Sequence, residues 1–215
     1  SHDFNNLLTA ILGFCDLLLV KHPAGDPSFA EIMQIKQNSN RAANLVRQLL
    51  ALSRKQVLKP KTIDISDALA ELTNLVRRLI GENIDLDIIH GPNLRPVKVD
   101  QGQLEQVIIN LVVNARDAIQ KTSHKGKISI ETSGVNIRSH QDIDKNFVCP
   151  EREKITPGEY IRISVTDNGI GIPKKVISKI FEPFFSTKAI GAGTGLGLST
   201  VFSIIKQTGG ILYVL

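Results

Sequence analysis

The sequence predicts an α+β fold, in which a helical hairpin is followed by a sandwich of helices on one face of a mostly antiparallel sheet. Before residue 57 the apolar residues recur at helical spacing, whereas helical and strand-like segments alternate after Lys59-Pro60-Lys61. The composition is that of a globular chain, because 42% of the 215 residues are hydrophobic and 22% are charged. We therefore expect two domains, a hairpin over residues 1–57 and a sandwich over residues 58–215.

The hairpin begins with a helix from Phe4 to about Lys21. Its apolar residues follow the three-and-four spacing of one helical face: Leu7, Leu8, Ile11, Leu12, Cys15, Leu18 and Leu19. Asp26-Pro27 predicts the N-cap and the first position of a second helix, whose apolar stripe extends to Leu52. Because two helices bury too little apolar surface to be stable alone, we expect a second copy to complete a dimeric four-helix bundle, so that the protein is a homodimer.

The sandwich begins with a short strand and a helix. Ile63 and Ile65 predict the strand, and Ser66 is expected to cap a helix over residues 67–80 that Gly81 ends. Alternating apolar residues predict the remaining strands, over residues 84–88, 96–99, 127–135, 160–167 and 211–215.

Two more helices complete the predicted sandwich. Asp100 and Gln103 predict a capping box for a long apolar helix over residues 101–121. Another helix is expected over residues 195–207, before the last strand. The polar stretch over residues 136–158, between two of the strands, is expected to be a flexible excursion.

Charge and targeting signals exclude several classes of function. The net charge of +5 favours anionic partners, but it is too small to indicate nucleic acid. No apolar run reaches the roughly 18–20 residues of a membrane span and no signal peptide opens the chain, so any membrane contact is expected through parts of a longer protein. Ser1 and Leu215 both look like cut ends. Cys15 and Cys149 lack metal-ligand spacing, which indicates free thiols in a reducing compartment.

Two glycine-rich segments are candidate ligand sites. In Asp167-Asn-Gly-Ile-Gly171 the backbone can close around a planar ligand while the Asp167 carboxylate accepts a hydrogen bond, although an ordinary turn explains the segment equally well. Gly191-Ala-Gly-Thr-Gly-Leu-Gly197 leads into a helix, whose N-terminal N–H groups suit phosphates. The second segment is neither a Walker A loop nor a Rossmann fingerprint, because it lacks their spacing and the preceding strand.

A pair of amides lies on the long apolar helix. Asn110 and Asn114 are four residues apart and so share one helical face, with Arg116 and Asp117 close behind. An unsatisfied buried amide costs about 1–3 kcal/mol, so both need partners. Either they bond to backbone in the core, or their carbonyl oxygens hold a hard cation such as Mg²⁺ beside phosphates.

Together these segments resemble the sequence boxes of two-component sensor histidine kinases. Asn110-Leu-Val-Val-Asn114 is similar to the N box, Asp167-Asn-Gly-Ile-Gly171 to the G1 box, Phe181-Glu-Pro-Phe-Phe185 to the F box and Gly193-Thr-Gly-Leu-Gly197 to the G2 box, in the same order. Ser1-His2-Asp3-Phe4-Asn5-Asn6 resembles the phosphoacceptor H box, in the variety typical of hybrid and cell-cycle kinases. The resemblance implies a dimerisation and histidine-phosphotransfer hairpin followed by a GHKL (Bergerat) ATP-binding sandwich.

The resemblance also implies catalytic roles near the N-terminus. His2 would attack the γ-phosphorus of ATP and become phosphohistidine. Asp3 would accept a hydrogen bond from the other ring nitrogen, which raises the basicity of the nucleophile. Asn6, one helical turn from His2, would orient a water that hydrolyses a phosphorylated partner aspartate.

In the ATP site, the resemblance assigns Asp167 to the adenine amine, with Gly169 and Gly171 closing on the base. Asn114 would coordinate Mg²⁺, and Asn110 would support the metal or the phosphates. The remaining cofactor-binding positions lie in or beside the boxes: Arg116, Asp117, Lys188, Gly193, Thr194, Gly195, Leu196 and Gly197. The glycines of this set would bind phosphate through backbone amides, and the lysine would pair with the γ-phosphate.

The F box is expected to anchor a mobile lid over residues 182–195, with Phe181, Phe184 and Phe185 packing as anchors.

The implied activity is that of a bifunctional kinase and phosphatase with ATP and Mg²⁺ as cofactors. Its partner would be a response-regulator receiver domain or a phosphotransfer protein and not nucleic acid, in the cytoplasm of a bacterium, with any inner-membrane anchor outside this sequence. Two alternatives stay open: another ATPase of the gyrase, HSP90 or MutL kind, and a scaffold that has lost catalysis. The H and F boxes argue against the first alternative, and the intact motif residues argue against the second.

Overall fold

A computed structural model describes residues 2–53, 58–139, 142, 147–150, 155–188 and 193–214 of the chain, except for the side chains of residues 2–5, 41 and 44–53. The chain divides into two compact units, residues 1–57 with 187–194 and residues 58–186 with 195–215. The cysteines are not joined in a disulfide. Within the described ranges, no helix has the length and hydropathy that crossing a membrane requires.

The first unit contains a hairpin of helices α1 (His2–Lys21) and α2 (Phe29–Ser53). Cys15 of α1 is buried, as are Ile32 and Ala43 of α2. Lys36 Nζ lies 2.6 Å from Asp16 Oδ1 and links the two helices in a partly exposed ion pair. Helix α1 nevertheless leaves a row of large apolar side chains exposed: Leu7, Ile11, Phe14, Leu17, Leu18 and Val20.

The turn between α1 and α2 differs in one detail from the prediction. Asp26 Oδ1 accepts a hydrogen bond from Ser28 N at 2.8 Å, and Asp26 Oδ2 lies 3.1 Å from His22 Nδ1. The Ser28 bond, followed by the His22 bond, holds the pKa of Asp26 below its usual range. Phe29 N donates to Asp26 O at 3.1 Å, which closes a tight turn. Helix α2 therefore begins at Phe29, and the prediction of Pro27 as its first residue is wrong by two positions.

The second unit is an α+β sandwich, as predicted. Its elements are, in chain order, β1 (Lys61–Ile63), α3 (Ile65–Ile80), β2 (Ile84–His90), β3 (Val97–Val99), α4 (Gln101–Ile119), β4 (Gly126–Ile137), β5 (Gly158–Asp167) and α5 (Gly197–Gln207). Strands β1 and β3 form an antiparallel pair. The larger sheet has the order β2-β4-β5, with β2 and β4 parallel and β4 and β5 antiparallel. Helices α3 and α4 cover one face of this sheet and enclose the main core, which includes Leu69, Val76, Ile108, Val112 and Ile128.

Helix α3 begins with a different cap from the predicted one. Asp64 Oδ1 accepts hydrogen bonds from Ser66 N at 2.7 Å and from Asp67 N at 3.4 Å, so Asp64 rather than Ser66 is the N-cap. A carboxylate placed there reaches two otherwise unpaired N–H groups of the first turn. Ile65, which was expected in the strand, is the first helical residue and is buried. Gly81 ends the helix as predicted, with a φ of 80°.

The C-terminal region departs most from the prediction. Over the described part of residues 211–215, Val214 forms a single bridge with Val148, so the predicted strand is not observed. One bridge is not a strand, because a ladder requires consecutive backbone pairs. The expected excursion over residues 136–158 is shorter than predicted, since β4 extends to Ile137 and β5 begins at Gly158. Residues 140, 141, 143–146 and 151–154, and with them the prediction of flexibility, lie outside the described residues.

Candidate functional site

Helix α4 is the element around which most of the predicted site residues collect. Its N-cap is Asp100, which accepts hydrogen bonds from Lys59 N at 3.0 Å and from Gln103 N at 3.1 Å. These hydrogen bonds hold the pKa of the Asp100 carboxyl below its usual range, and the bond from Lys59 has the larger effect. The Gln103 side chain instead donates to Gln207 Oε1 at 3.2 Å, so only the aspartate half of the predicted capping box forms.

Two faces of α4 are buried and fix its position. Ile108 and Val112 are fully buried against the sheet and α3. On another face, Val107 packs with Val201 and Ile204 of α5 in a second, smaller core. The amide pair of the N box is carried on this packed helix and so has a fixed place beside the start of α5.

The amides of Asn110 and Asn114 both lie at Gly197, the last glycine of the G2 box and the first residue of α5. Asn110 Nδ2 donates to Gly197 O at 3.3 Å, and Asn110 Oδ1 accepts from Gln106 Nε2 at 3.0 Å. A Cβ on Gly197 would lie 3.4 Å from Asn114 Nδ2. The structure therefore assigns Asn110 the backbone-bonding role, whereas the half-buried Asn114 amide makes no hydrogen bond among the described residues.

The G1 segment docks on the last turn of α4. Asp167 ends β5, and its Oδ1 accepts a hydrogen bond from Gly169 N at 2.8 Å. A Cβ on Gly169 would lie 2.7 Å from the Cβ of Ala118, so glycine is required for this approach. Ile170 N donates to Ala118 O at 3.4 Å, and Gly171 has a φ of 67° with open space around it. Ala118 is thus a site residue that the sequence did not reveal, because its contact partners are about 50 positions away.

The G2 segment is held against the F box. Gly195 has a φ of 66°, and a Cβ there would lie 2.4 Å from the carbonyl carbon of Phe184. Leu196 is buried and precedes α5, whose N-terminus has no side-chain cap among the described residues. The N–H groups of this first turn are therefore available to an anion.

The aromatic residues of the F box differ from one another in burial. Phe181 is buried and packs on Phe202, with ring centroids 5.7 Å apart, as expected of an anchor. Phe184 is 61% exposed and has a positive φ of 67°, so its ring is not the packed anchor that the sequence predicted. Phe185 is half-buried.

Arg116 and Asp117 lie at the contact between α3 and α4. Arg116 Nη2 is 2.7 Å from Asp117 Oδ1, and Arg116 Nη1 donates to Leu79 O, in the last turn of α3, at 3.0 Å. The guanidinium thus satisfies a carbonyl at a helix end and joins two helices of the core.

The remaining predicted site residues belong to the first unit. Lys188 is half-buried, and Gly193 and Thr194 follow residues 189–192, the part of the expected lid that lies outside the described residues. The backbones of His2 and Asp3 belong to α1, while their side chains lie outside the described set. Asn6 is exposed one helical turn further along the same helix.

A Mg²⁺ ion fits this site only with help from phosphate. Among the described residues there is no group of three His, Cys, Asp or Glu side chains that could hold a metal. The Asn114 amide offers one neutral oxygen beside an uncapped helix N-terminus. Since Mg²⁺ in proteins commonly takes one or two protein ligands together with substrate phosphates and waters, this donor set fits a magnesium nucleotide rather than the bare ion.

Two family models match the chain. The model for histidine kinase-, DNA gyrase B- and HSP90-like ATPases matches residues 99–214. The model for the His kinase A (phospho-acceptor) domain matches residues 1–57.

Known proteins and structures are similar to most of the chain. The sensor kinase CckA of Brucella abortus (strain 2308) is 53% identical over 99% of this chain, which spans only 22% of that protein. The histidine kinase ThkA, solved in complex with the response regulator TrrA, aligns with a TM-score of 0.57 at 26% identity over 99% of this chain and 54% of that one. Full-length ShkA, solved in complex with AMPPNP, aligns with a TM-score of 0.68 over 97% of this chain and 40% of that one, but at 24% identity this shows the fold alone.

Proposed function

Since the chain belongs to the sensor histidine kinases, we propose that it transfers the γ-phosphoryl group of ATP to His2 and from there to an aspartate on a response-regulator receiver domain. The family resemblance that the sequence boxes predict is confirmed by the two family models and by the match to the sensor kinase CckA. The chain spans about a fifth of that relative, so the activity of the whole protein is part of this proposal.

The observation that carries the proposal is the meeting of three boxes on α4. The G1 loop touches its last turn at Ala118, and the G2 glycine Gly197 touches its middle at Asn110 and Asn114. An adenine group near Asp167 and a phosphate chain near the start of α5 would therefore be held by one rigid helix. This arrangement supports a bound ATP that runs along α4.

Most of the groups that would bind phosphate are backbone N–H groups rather than charged side chains. The N–H groups of the first turn of α5, which Gly195 and Leu196 precede, would face a phosphate at the positive end of the helix. Thr194, Gly193 and Lys188 would add backbone and ammonium donors from the lid. Asn114 would hold Mg²⁺, which when bound would neutralise charge that develops on the phosphate oxygens.

The phosphoryl transfer itself requires a neutral imidazole. The lone pair of one His2 ring nitrogen attacks the γ-phosphorus, a nitrogen–phosphorus bond forms, the bond to the bridging β–γ oxygen breaks, and ADP leaves. Asp3 would accept a hydrogen bond from the proton on the other ring nitrogen and stabilise the positive charge that develops there. Because ATP is the donor, we place the reaction in the cytoplasm, and the match to CckA of Brucella abortus supports a bacterial cell.

The exposed apolar row on α1 supports the proposed homodimer. Leu7, Phe14 and Leu17 are each more than 60% exposed, which is unusual for large apolar side chains on one helix face. A second hairpin packed against this row would bury it and complete a four-helix bundle. A receiver domain or a phosphotransfer protein would dock where His2 is presented.

The test of the kinase proposal is the chemistry of the phosphorylated residue. The chain is incubated with γ-labelled ATP and Mg²⁺, and we expect a label that is labile in acid and stable in base. His2→Ala should remove the label, whereas His22→Ala, a matched change at a half-buried histidine of the same hairpin, should keep it. An alkali-labile label, or none from a chain that binds ATP, would contradict the proposal and favour an ATPase or a scaffold.

The phosphatase role of Asn6 has its own test. Asn6→Ala should abolish dephosphorylation of a phosphorylated receiver domain while sparing autophosphorylation, because the residue would orient water and not ATP. Loss of both activities to the same extent would count against this role.

A further inference from the structure

Asn168 fastens the G1 loop to the sheet with its side chain. Its Oδ1 accepts a hydrogen bond from Lys127 N at 2.8 Å, and its Nδ2 donates to Lys125 O at 3.0 Å. Its own backbone N donates to Lys127 O at 3.3 Å. Nδ2 also lies 3.4 Å from His124 Nδ1. Asn168 therefore makes three hydrogen bonds to Lys125 and Lys127 and a fourth, longer one to His124, all in the chain that enters β4.

The side chain of Asn168 makes the hydrogen bonds that one more residue of β5 would make with β4. The last ladder pair between β4 and β5 joins Ile128 and Asp167, so Asn168 lies just beyond it. A further strand residue would offer the chain near Lys127 one carbonyl and one N–H group. The primary amide of Asn168 offers the same acceptor and donor, and among side chains of this length only asparagine carries both.

The hydrogen bonds of Asn168 also affect where the carboxylate of its neighbour, Asp167, points. Asp167 is exposed and bonds through Oδ1 to Gly169 N, on the far side of Asn168. If Asn168 fixes the backbone between Asp167 and Gly169, it fixes the position of the second carboxylate oxygen, which makes no hydrogen bond among the described residues. An exposed carboxylate on a loose loop would lose rotational freedom on binding, which weakens a directional hydrogen bond.

We propose that Asn168 is a positioning residue that aims the second oxygen of Asp167 and thereby sets the selectivity of the site for purines with a 6-amino group. This inference rests on the proposed function, because it assumes that a nucleotide binds with its base at Asp167. If Asn168 only stabilised the loop, its loss would lower the affinity for every nucleotide equally. If it positions the second oxygen of Asp167, its loss should lower the affinity only for a nucleotide whose 6-amino group donates to that oxygen.

The test compares two nucleotides on the same proteins. The dissociation constants of ATP and of purine riboside 5′-triphosphate, which lacks the 6-amino group, are measured by calorimetry with Mg²⁺. For Asn168→Ala we expect the affinity for ATP to fall about threefold to tenfold, as for the loss of one net hydrogen bond, while the affinity for the analogue stays unchanged. Asn168→Asp keeps the acceptor for Lys127 N but loses the donor to Lys125 O, so it should lose ATP affinity selectively and to a smaller extent.

A matched control removes another side-chain hydrogen bond from β4. Ser129 Oγ bonds to Glu131 Oε1 at 3.0 Å on the exposed face, and Ser129→Ala should leave both dissociation constants as in the parent chain. Equal losses for ATP and the analogue in the Asn168 variants, or no loss for either, would overturn the inference. A parent chain that binds neither nucleotide would instead overturn the proposed function, so the two failures are distinguishable. Thermal unfolding checks that each variant is folded, and Asn168→Asp carries the test if the alanine variant is not.

Discussion

Gly169→Ala tests the contact between the G1 loop and α4. The added Cβ would lie 2.7 Å from the Cβ and the carbonyl carbon of Ala118 and 2.7 Å from Asp167 Oδ1. Ordinary contacts between carbon atoms are about 3.5–4.0 Å, so the loop must move away from α4 by roughly 1 Å. Overpacking of this kind costs about 1–3 kcal/mol, which corresponds to about 5-fold to 150-fold in affinity if the loop must return to bind ATP.

The assay is calorimetric titration with magnesium ATP, paired with thermal unfolding of the free chain. The substitution should lower the free energy of unfolding and the free energy of ATP binding by about 1–3 kcal/mol in total. Most of this loss should appear in binding, because an exposed loop can move away from α4 without unfolding the core. Gly134→Ala is the matched control. A Cβ at Gly134 meets nothing within 4 Å, so this change in β4 should leave ATP affinity as in the parent.

A second substitution shows whether the contact with Ala118 is the cause. Ala118→Gly removes one of the crowded atoms but leaves the carbonyl carbon, so the double variant should regain part of the affinity that Gly169→Ala loses. The reasoning is refuted if Gly169→Ala binds ATP like the parent, or if Gly134→Ala is equally impaired.

Three further results are expected. Gly195→Ala should lower ATP affinity at least tenfold, since a Cβ would lie 2.4 Å from the Phe184 carbonyl carbon at a φ of 66°, and titration calorimetry checks this. Asn114→Ala should abolish the Mg²⁺-dependent part of ATP affinity and leave binding of metal-free ATP unchanged in EDTA. Asp100→Ala should lower the free energy of unfolding by about 1 kcal/mol at pH 7 in urea titrations. Because its folded pKa is lowered from the usual 3.8, the contribution of Asp100 is present above that value and is lost as the pH falls below it, so the difference between variant and parent should shrink below about pH 4.

The sequence predicted most elements of secondary structure because their burial is periodic. Helix α4 was predicted within two residues of its observed end, since its apolar residues face two packed layers at helical spacing. The caps were less predictable. Ser66 and Asp64 are both good N-cap residues, and the choice between them depends on which carboxylate or hydroxyl reaches the unpaired N–H groups, which no periodicity reveals.

Contacts across the fold were beyond prediction from the sequence alone. The G1 and N boxes were recognised as separate segments, but their meeting at Ala118 depends on how β5 and α4 pack. For the segment that contains Asn168 the sequence leaves both a ligand-binding loop and an ordinary turn open, and neither predicts side-chain bonds to the sheet. Its bonds to Lys125 and Lys127 depend on the register of β4 against β5, and a shift of one residue would remove them.

The faces of α4 also explain why neighbours within one box can have different roles. Asn114 and Arg116 are two positions apart, and residues at that spacing point to opposite sides of a helix. The structure accordingly places Asn114 at Gly197 and the guanidinium of Arg116 at Leu79 O. Residues two positions apart on this helix therefore meet different neighbours, whereas a spacing of four, as between Asn110 and Asn114, places two side chains on a shared face. The same argument places Ala118, four residues after Asn114, on the side of α4 that the G1 loop contacts, so a single stripe of the helix meets both glycine boxes.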